Sequence, residues 1–328
     1  MNSPFRLAAG LLLVAIPAIT HAGPASRPVT PGDMRRHIEV LASDAFEGRQ
    51  PGTRGDSKTV AYIAGQLQRL GLQPGAKGGS WYQPVGLVES RPISHRAIWS
   101  VRGKQTEVRQ RDLILVGRQR VERVHEAPVV FVGHGAVIAG RNIDQLRGAS
   151  LKGAAVLMLG EAPDGFPDLS ERTGAVVAAG ASAIILIHDD DVPWAAVRAG
   201  FSNPRTRLQM EEVAAVQGAV PFGVAARLVA QAGGSLDELV RSAASTTFGA
   251  VPLDARASFD VSTEVRSYTS YNVLARIRGS GKSGESVLYL GHWDHLGICR
   301  PDGVDRICNG AVDNASGIAM LIEIAARL

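Results

Sequence analysis

The sequence predicts an α/β fold built on a mixed sheet with helices, and three observations carry that expectation. Apolar strands of five or so residues alternate with small-residue helices, above all over Ala154–Leu159, Thr173–Gly180 and Ala183–Ile187. Strand, helix, strand at these lengths is a βαβ unit, the connection that parallel strands require. Composition agrees: 45% of residues are hydrophobic, 37 are glycine and aromatics are few, which suits layered sheets with tight turns better than a helical bundle. Finally, two polar, glycine-punctuated loops follow or precede regular elements near residue 300, where open α/β folds place their chemistry.

At 328 residues the chain has room for two domains. Arg6 precedes an apolar run from Leu7 to Ile19, and Thr20-His21-Ala22 offers a small residue where a signal peptide is cut. The run is too short for a comfortable membrane span and no other stretch approaches that length. Residues 1–22 therefore read as a signal peptide of a secreted or periplasmic protein. The net charge of +4 comes from scattered Lys and Arg, without the concentrated basic face that nucleic acid requires.

After a linker over 23–32, Asp33–Leu41 reads as a short helix. Ser43 to Gly55 is a polar loop broken by Gly and Pro. Val60, Ile63, Ala64, Leu67 and Leu70 mark one face of an amphipathic helix, with Gly71 closing it. Val129–Val132 begins a run of strands and helices that continues through Val224–Ala232 and Leu236–Ala243 to Pro252. Residues 33–105 are expected to open one domain, 106–255 to form an insert within it, and 256–328 to resume it. In that last part Tyr271–Arg278 alternates as a strand, with Val273, Ala275 and Ile277 on one face. Gly279 to Gly284 turns the chain into an apolar strand at Val287–Leu290. A final helix, apolar on nearly all sides, runs to Leu328 and expects cover on more than one side.

The chemistry sits in Gly291-His-Trp-Asp-His-Leu-Gly297 and Asn309-Gly-Ala-Val-Asp-Asn-Ala-Ser-Gly317. A neutral imidazole binds a divalent metal through one nitrogen and needs an acceptor on the other to fix its tautomer. Asp294, two residues beyond His292 in an extended segment, points back to the same side. Asp313 sits where a loop enters a helix, and its two oxygens could bridge two cations. Cys299 and Cys308 lie between the two motifs. In an oxidising compartment such a pair is expected to form a disulfide. Two thiolate metal ligands are the alternative, although zinc cysteines are usually spaced by two to four residues. His37, His95, His125, His134 and the His188-Asp-Asp-Asp191 run read as structural or solvated groups.

These two motifs closely resemble the two-zinc exopeptidases of the bacterial leucyl aminopeptidase type, whose relatives include glutamate carboxypeptidase and the glutaminyl cyclases. The resemblance implies a zinc-exopeptidase-like mixed sheet and an enzyme that hydrolyses N-terminal residues from peptides, most simply an aminopeptidase. It implies zinc, two ions per complete site. His292 would be a terminal ligand of one zinc, Asp313 the carboxylate bridging both, and Asp294 the catalytic carboxylate that orients His292. His295 matches a family habit without being a ligand. A strained Asp313–Asn314 peptide, for which cis is one form, is also implied. Leu41-Ala-Ser-Asp-Ala-Phe-Glu-Gly-Arg49 and Pro51-Gly-Thr-Arg-Gly55 look like the N-terminal segment of secreted members, and Arg141–Gly160 with Val176–His188 like an inserted protease-associated domain. The family completes its site with a Glu-Glu pair, a further acid and a final His downstream of the bridging Asp. Those positions do not occur here, so the chain is expected to be a C-terminally truncated version. The competing readings are a non-catalytic protease-associated binding module with a vestigial metal site and a one-zinc cyclase.

Overall fold

A computed structural model describes residues 28–189, 191–279, 281, 284–300 and 302–328. The expected signal peptide at 1–22 lies outside the described residues. The rest divides into two compact units, one made of the chain up to Gln83 together with Val273–Leu328, the other of Pro84–Asn272. The second unit thus reaches beyond the expected 106–255 on both sides. Its limits fall near the ends of two long strands, of 20 and 23 residues, the second of which, Val251–Val273, runs straight through the expected limit at 255.

In the first unit, α1 (Pro31–Leu41) starts earlier than expected because Thr30 and Asp33 form a capping box ahead of Pro31. Helix α2 (Arg54–Arg69) buries Val60, Ile63, Ala64 and Leu67, spaced to lie on one face. Leu70, expected on that face, is instead the exposed C-cap residue, and Gly71 takes the left-handed conformation that ends the helix. A further helix at the C-terminal end, Gly317–Ala325, packs Ile318 and Ile322 onto Leu41, Val60, Ile63 and Leu67.

Glu323 of that last helix is buried, and it is buried with partners. His37 Nε2 lies 3.2 Å from Glu323 Oε1, and Arg327 Nη1 donates to Glu323 Oε2 at 2.6 Å. His37 Nδ1 meets the Tyr62 hydroxyl at 2.8 Å, and Arg327 Nη2 donates to Asp33 Oδ2 at 3.1 Å. A buried carboxylate is tolerable only when paired and hydrogen-bonded in this way.

Two predicted strands of this unit are not formed as expected. Val287–Leu290 pairs with no strand among the described residues, and Val287 and Leu290 are each 81% exposed. An apolar run becomes a strand only where a neighbour accepts its ladder hydrogen bonds. Of Tyr271–Arg278, only Ala275 and Arg276 pair beyond Val273, antiparallel to Pro74 and Gln73, and Ile277 is exposed.

The second unit holds a nine-stranded sheet. Its strands are β1 (Tyr82–Val101), β2 (Lys104–Val108), β3 (Ile114–Gly117), β4 (Val121–Phe131), β5 (Ala155–Leu159), β6 (Ala183–His188), β7 (Arg205–Leu208), β8 (Val216–Pro221) and β9 (Val251–Val273). The order is β7-β1-β9-β4-β5-β6-β8-β3, with β2 added on β1. Strands β4, β5, β6 and β8 run parallel, and the flanking pairs are antiparallel, so the sheet is mixed. Helix α3 (Leu169–Ala178) joins β5 to β6 as the expected βαβ unit. It begins before Thr173 because Asp168 caps it through Glu171 N. Val156, Met158, Val176 and Ile184 form the core on that side. Helices α4 (Trp194–Ser202), α5 (Phe222–Gln231) and α6 (Leu236–Ala243) complete the unit, with Leu228, Val229 and Leu236 joining the core that contains Val129, Phe131 and Ile185.

Candidate metal centre

All three expected site residues lie in the first unit, and the structure brings them together. Trp293 is turned into the core beside Ile318 and Ile322. In an extended segment that turns its neighbours His292 and Asp294 the other way, onto one side. His292 Nδ1 is 3.4 Å from Asp294 Oδ1 and 3.2 Å from the Asp294 carbonyl oxygen. His292 Nε2 is 3.2 Å from Asp313 Oδ1. The other oxygen of Asp313 lies 3.5 Å from His295 Nδ1. Asp313 remains open on its outer side, its side chain 66% exposed.

Asp313 is presented by an irregular turn, Ala311–Ser316, whose residues Asp313 and Asn314 depart from helical angles and whose Asp313–Asn314 peptide is cis. Gly310 ahead of it adopts φ +61°, and a Cβ there would collide with the Asp313 carbonyl, Arg49 Nη2 and the His295 ring. Only glycine meets both demands. Asn314 ties the two motifs, its Nδ2 donating to the His292 carbonyl at 3.0 Å while its Oδ1 accepts from Gly317 N at 3.2 Å.

Arg49 is the residue that sequence reasoning passed over. It is 0% exposed, and its guanidinium donates to main-chain carbonyls in every segment around the site. Nε reaches Trp293 O at 2.8 Å, and Nη1 reaches Leu41 O at 2.6 Å and Asn309 O at 2.7 Å. Nη2 reaches Gly310 O at 2.8 Å and Asp313 O at 3.4 Å. Burial pulls the Arg49 pKa down from its ordinary value, and the nearby charges of Asp294 and Asp313 pull it back. The available signal was the Glu47-Gly48-Arg49 turn: a glycine at φ +66° whose Cβ would strike the Gly297 backbone marks a loop pressed against another.

Between the two motifs, Gly297–Ile298 pairs antiparallel with Ile307–Cys308, and Cys299 and Cys308 form the expected disulfide. Thiolate ligation by this pair is thereby excluded.

The donor set fits a divalent cation in part. If Nδ1 of His292 donates to Asp294, its Nε2 presents a lone pair to a carboxylate oxygen 3.2 Å away. Two electron-rich atoms so placed need a proton or a cation between them. Two ligands of one tetrahedral zinc would lie about 3.3 Å apart, given bond lengths near 2.0–2.1 Å. Among the described residues, no group of three or more His, Cys, Asp or Glu is arranged to hold a metal ion. His292 and Asp313 would therefore supply two positions of a sphere that wants about four.

His37 belongs to the buried pair with Glu323. His95 is buried in the second unit, and His134 Nδ1 meets the Glu161 carbonyl at 2.8 Å. In the His188–Asp191 run, Asp189 is exposed and Asp190 lies outside the described residues.

Residues 272–328 match the model described as Peptidase family M28. This agrees with the resemblance to two-zinc exopeptidases carried by the two motifs. No match is found among curated proteins. Among solved structures, the chain is similar to an aminopeptidase from Aneurinibacillus sp. strain AM-1, with a TM-score of 0.44 and 18% identity over 90% of this chain. It is also similar to BSAP, a zinc aminopeptidase from Bacillus subtilis, with a TM-score of 0.37 and 17% identity over 92% of this chain. In both cases the chain spans 58% of the other protein's length.

Proposed function

We propose that this protein is a zinc-dependent exopeptidase, acting as an aminopeptidase that releases N-terminal residues from peptides. The observation that carries this reading is the approach of His292 Nε2 to Asp313 Oδ1, 3.2 Å apart, within the segment matched by the family. In this reading His292 would hold zinc, and Asp313 would be the carboxylate shared between that ion and a second. Asp294 accepts from His292 Nδ1 and so fixes the tautomer that leaves Nε2 free for metal. Zinc, when bound, supplies a Lewis acid and lowers the pKa of its water. Arg49 and Asn314 hold the backbone that carries the ligands.

The second unit, residues 84–272, is proposed to be the protease-associated insert, and peptides with a free N-terminus the substrates. Secretion or periplasmic residence is supported by the Cys299–Cys308 disulfide, a bond rare in reducing compartments. Among the described residues, no helix is long and apolar enough to cross a membrane.

One observation favours a second reading, a non-catalytic binding module with a vestigial site: only two ligands converge among the described residues. Zinc content and hydrolysis of an aminoacyl arylamide separate the two. With His292 and Asp313 filling two of about four positions, residues 1–328 alone are expected to hold zinc weakly and to turn over little arylamide, and a protein with the complete site to do both in a chelator-sensitive way. His292→Ala and Asp313→Ala are expected to lose zinc as well as turnover. Uptake of zinc that neither substitution reduces would refute the assignment of the ligands. Turnover that survives chelation would refute the metal mechanism.

A further inference from the structure

The second unit contains a groove of about 810 Å³, a size suited to a small organic ligand. Its floor is apolar, formed by Ile184 and Leu186 of β6 and Ala219 of β8. Thr173 of α3 stands in its wall, and Phe201 of α4 and Arg205 of β7 also line it. The Arg205 guanidinium lies 3.9 Å above the Phe201 ring, a cation–π arrangement that fixes its position.

Arg205 differs from the two buried arginines of the molecule. Arg49 and Arg172 are each solvated by backbone carbonyls and each feel neighbouring carboxylates. Arg205 is reachable from solvent and has no ion pair or side-chain hydrogen bond among the described residues. The other groove cations are already engaged. Arg118 Nε lies 3.6 Å from Glu122 Oε1, and Arg207 Nη1 donates to the carbonyls of Leu208 and Glu211. His188 supplies a second unsatisfied group in the lining, its Nδ1 buried without a partner among the described residues.

We infer that this groove is a binding site for a small apolar carboxylate, its acid group paired with Arg205 and its apolar body laid on Ile184, Leu186 and Ala219. A guanidinium seated on an aromatic ring and without a counter-ion can meet a carboxylate with two parallel hydrogen bonds. The apolar floor gains from displacing water. One negative charge suits the groove better than the two of a phosphate, because Glu161 and Glu211 also line it. Such a ligand could be a free acyl chain or the C-terminal end of a peptide with an apolar last residue. The inference is independent of the peptidase reading, since every residue it uses lies in the second unit.

Calorimetric titration of the full chain tests it, with octanoate and N-acetyl-leucine as probes and octanol and N-acetyl-leucinamide as uncharged counterparts. At least one acid is expected to bind saturably with Kd below about 1 mM. Its uncharged counterpart is expected to bind at least about tenfold more weakly, the scale of one lost charge-assisted bond. Arg205→Gln is expected to weaken the acid by a similar factor, and Arg205→Lys by less. Thr173→Trp, which fills the groove, is expected to abolish binding. Arg123→Gln, at an exposed ion pair with Asp260, is expected to leave it unchanged. Circular dichroism of each variant establishes that it is folded. Octanoate binding more tightly than N-acetyl-leucine supports an acyl ligand, and the reverse order a peptide C-terminus. Equal affinity for acid and uncharged probe, indifference to Arg205→Gln in a folded variant, or no saturable binding by either acid would each overturn the inference.

Discussion

Among the described residues, each unit buries one arginine among backbone carbonyls, and the two arginines do different work. In the second unit, Arg172 donates to Pro167 O, His134 O, Leu159 O and Gly160 O at 2.7–3.1 Å. That backbone is already tied down without it: Leu159 N bonds to Gly133 O, Gly160 N to Ile187 O, and His134 N to the Gln145 side chain. Arg49 in the first unit serves loops that no broad sheet braces. Among the described residues, Val287–Leu290 has no ladder, and the stretch between the two motifs carries as strand pairing only the short ladder of Gly297–Ile298 with Ile307–Cys308, beside the side-chain tie from Asn314 to the His292 carbonyl. Where a sheet sets the register, a buried arginine fills in. Where no sheet does, the arginine's fork of donors takes over the role of the ladder.

The largest expected effect follows from that contrast. Arg49→Ala would take a donor from five carbonyls, of which Gly310 O keeps Ala315 N, at about 1–3 kcal/mol for each of the others that cannot find water. A loss of about 3–5 kcal/mol is expected in the first unit. Amide exchange at 292–295 and 309–314 is expected to accelerate with it. Arg49→Lys keeps the charge but cannot span the same acceptors, so it should recover only part of the loss. Arg172→Ala is expected to cost less, about 2 kcal/mol, with exchange confined to residues near 134 and 160. Equal losses in the two variants, measured by denaturation, would break the comparison.

The same contrast explains what was legible in the sequence. The parallel core of the second unit could be read because each element there is locally self-consistent. Val156, Val176 and Ile184 sit in short runs whose period and length agree with their final structure. His292, Asp294 and Asp313 could be found because their chemistry depends on residue type and spacing. Arg49 could not, since its role depends on the loop carbonyls it meets 244–264 residues later in the chain. Val287–Leu290 was misread for a related reason, because apolar β-branched character describes a segment able to pair and says nothing of whether a partner is present. The burial of Glu323 was not legible because His37 and Asp33, which complete its network with the neighbouring Arg327, stand far away in the sequence, in α1.

Removing the disulfide sharpens the argument at a smaller scale. Replacing Cys299 and Cys308 by serine frees a loop of nine residues' separation, worth about 2–3 kcal/mol in the chain-entropy view. If Arg49 is the main tie, exchange should accelerate within 297–308 while 309–313 stays protected, because Arg49 holds Asn309 and Gly310 directly. Loss of protection through Asp313 would instead make the disulfide the principal brace.

The smallest expected effect is a dependence on pH confined to the second unit. His95 and His134 both have pKa values pushed below the ordinary histidine value, in each case chiefly by burial. Arg198 adds to the lowering at His95 and Arg172 at His134, while hydrogen bonds with the Leu113 and Glu161 backbone oppose it. Below about pH 6.5 the unfolded histidines take up protons that the folded ones still refuse. Stability of the second unit is therefore expected to be complete above that value and to fall as pH drops through the folded pKa values. Denaturant titrations at a series of pH values, followed by exchange in β4 and β5, would show the decline. The double variant His95→Gln/His134→Gln should flatten it. A decline of the same steepness in that variant would place the titrating groups elsewhere, and Arg172 would then lose its part in keeping His134 neutral.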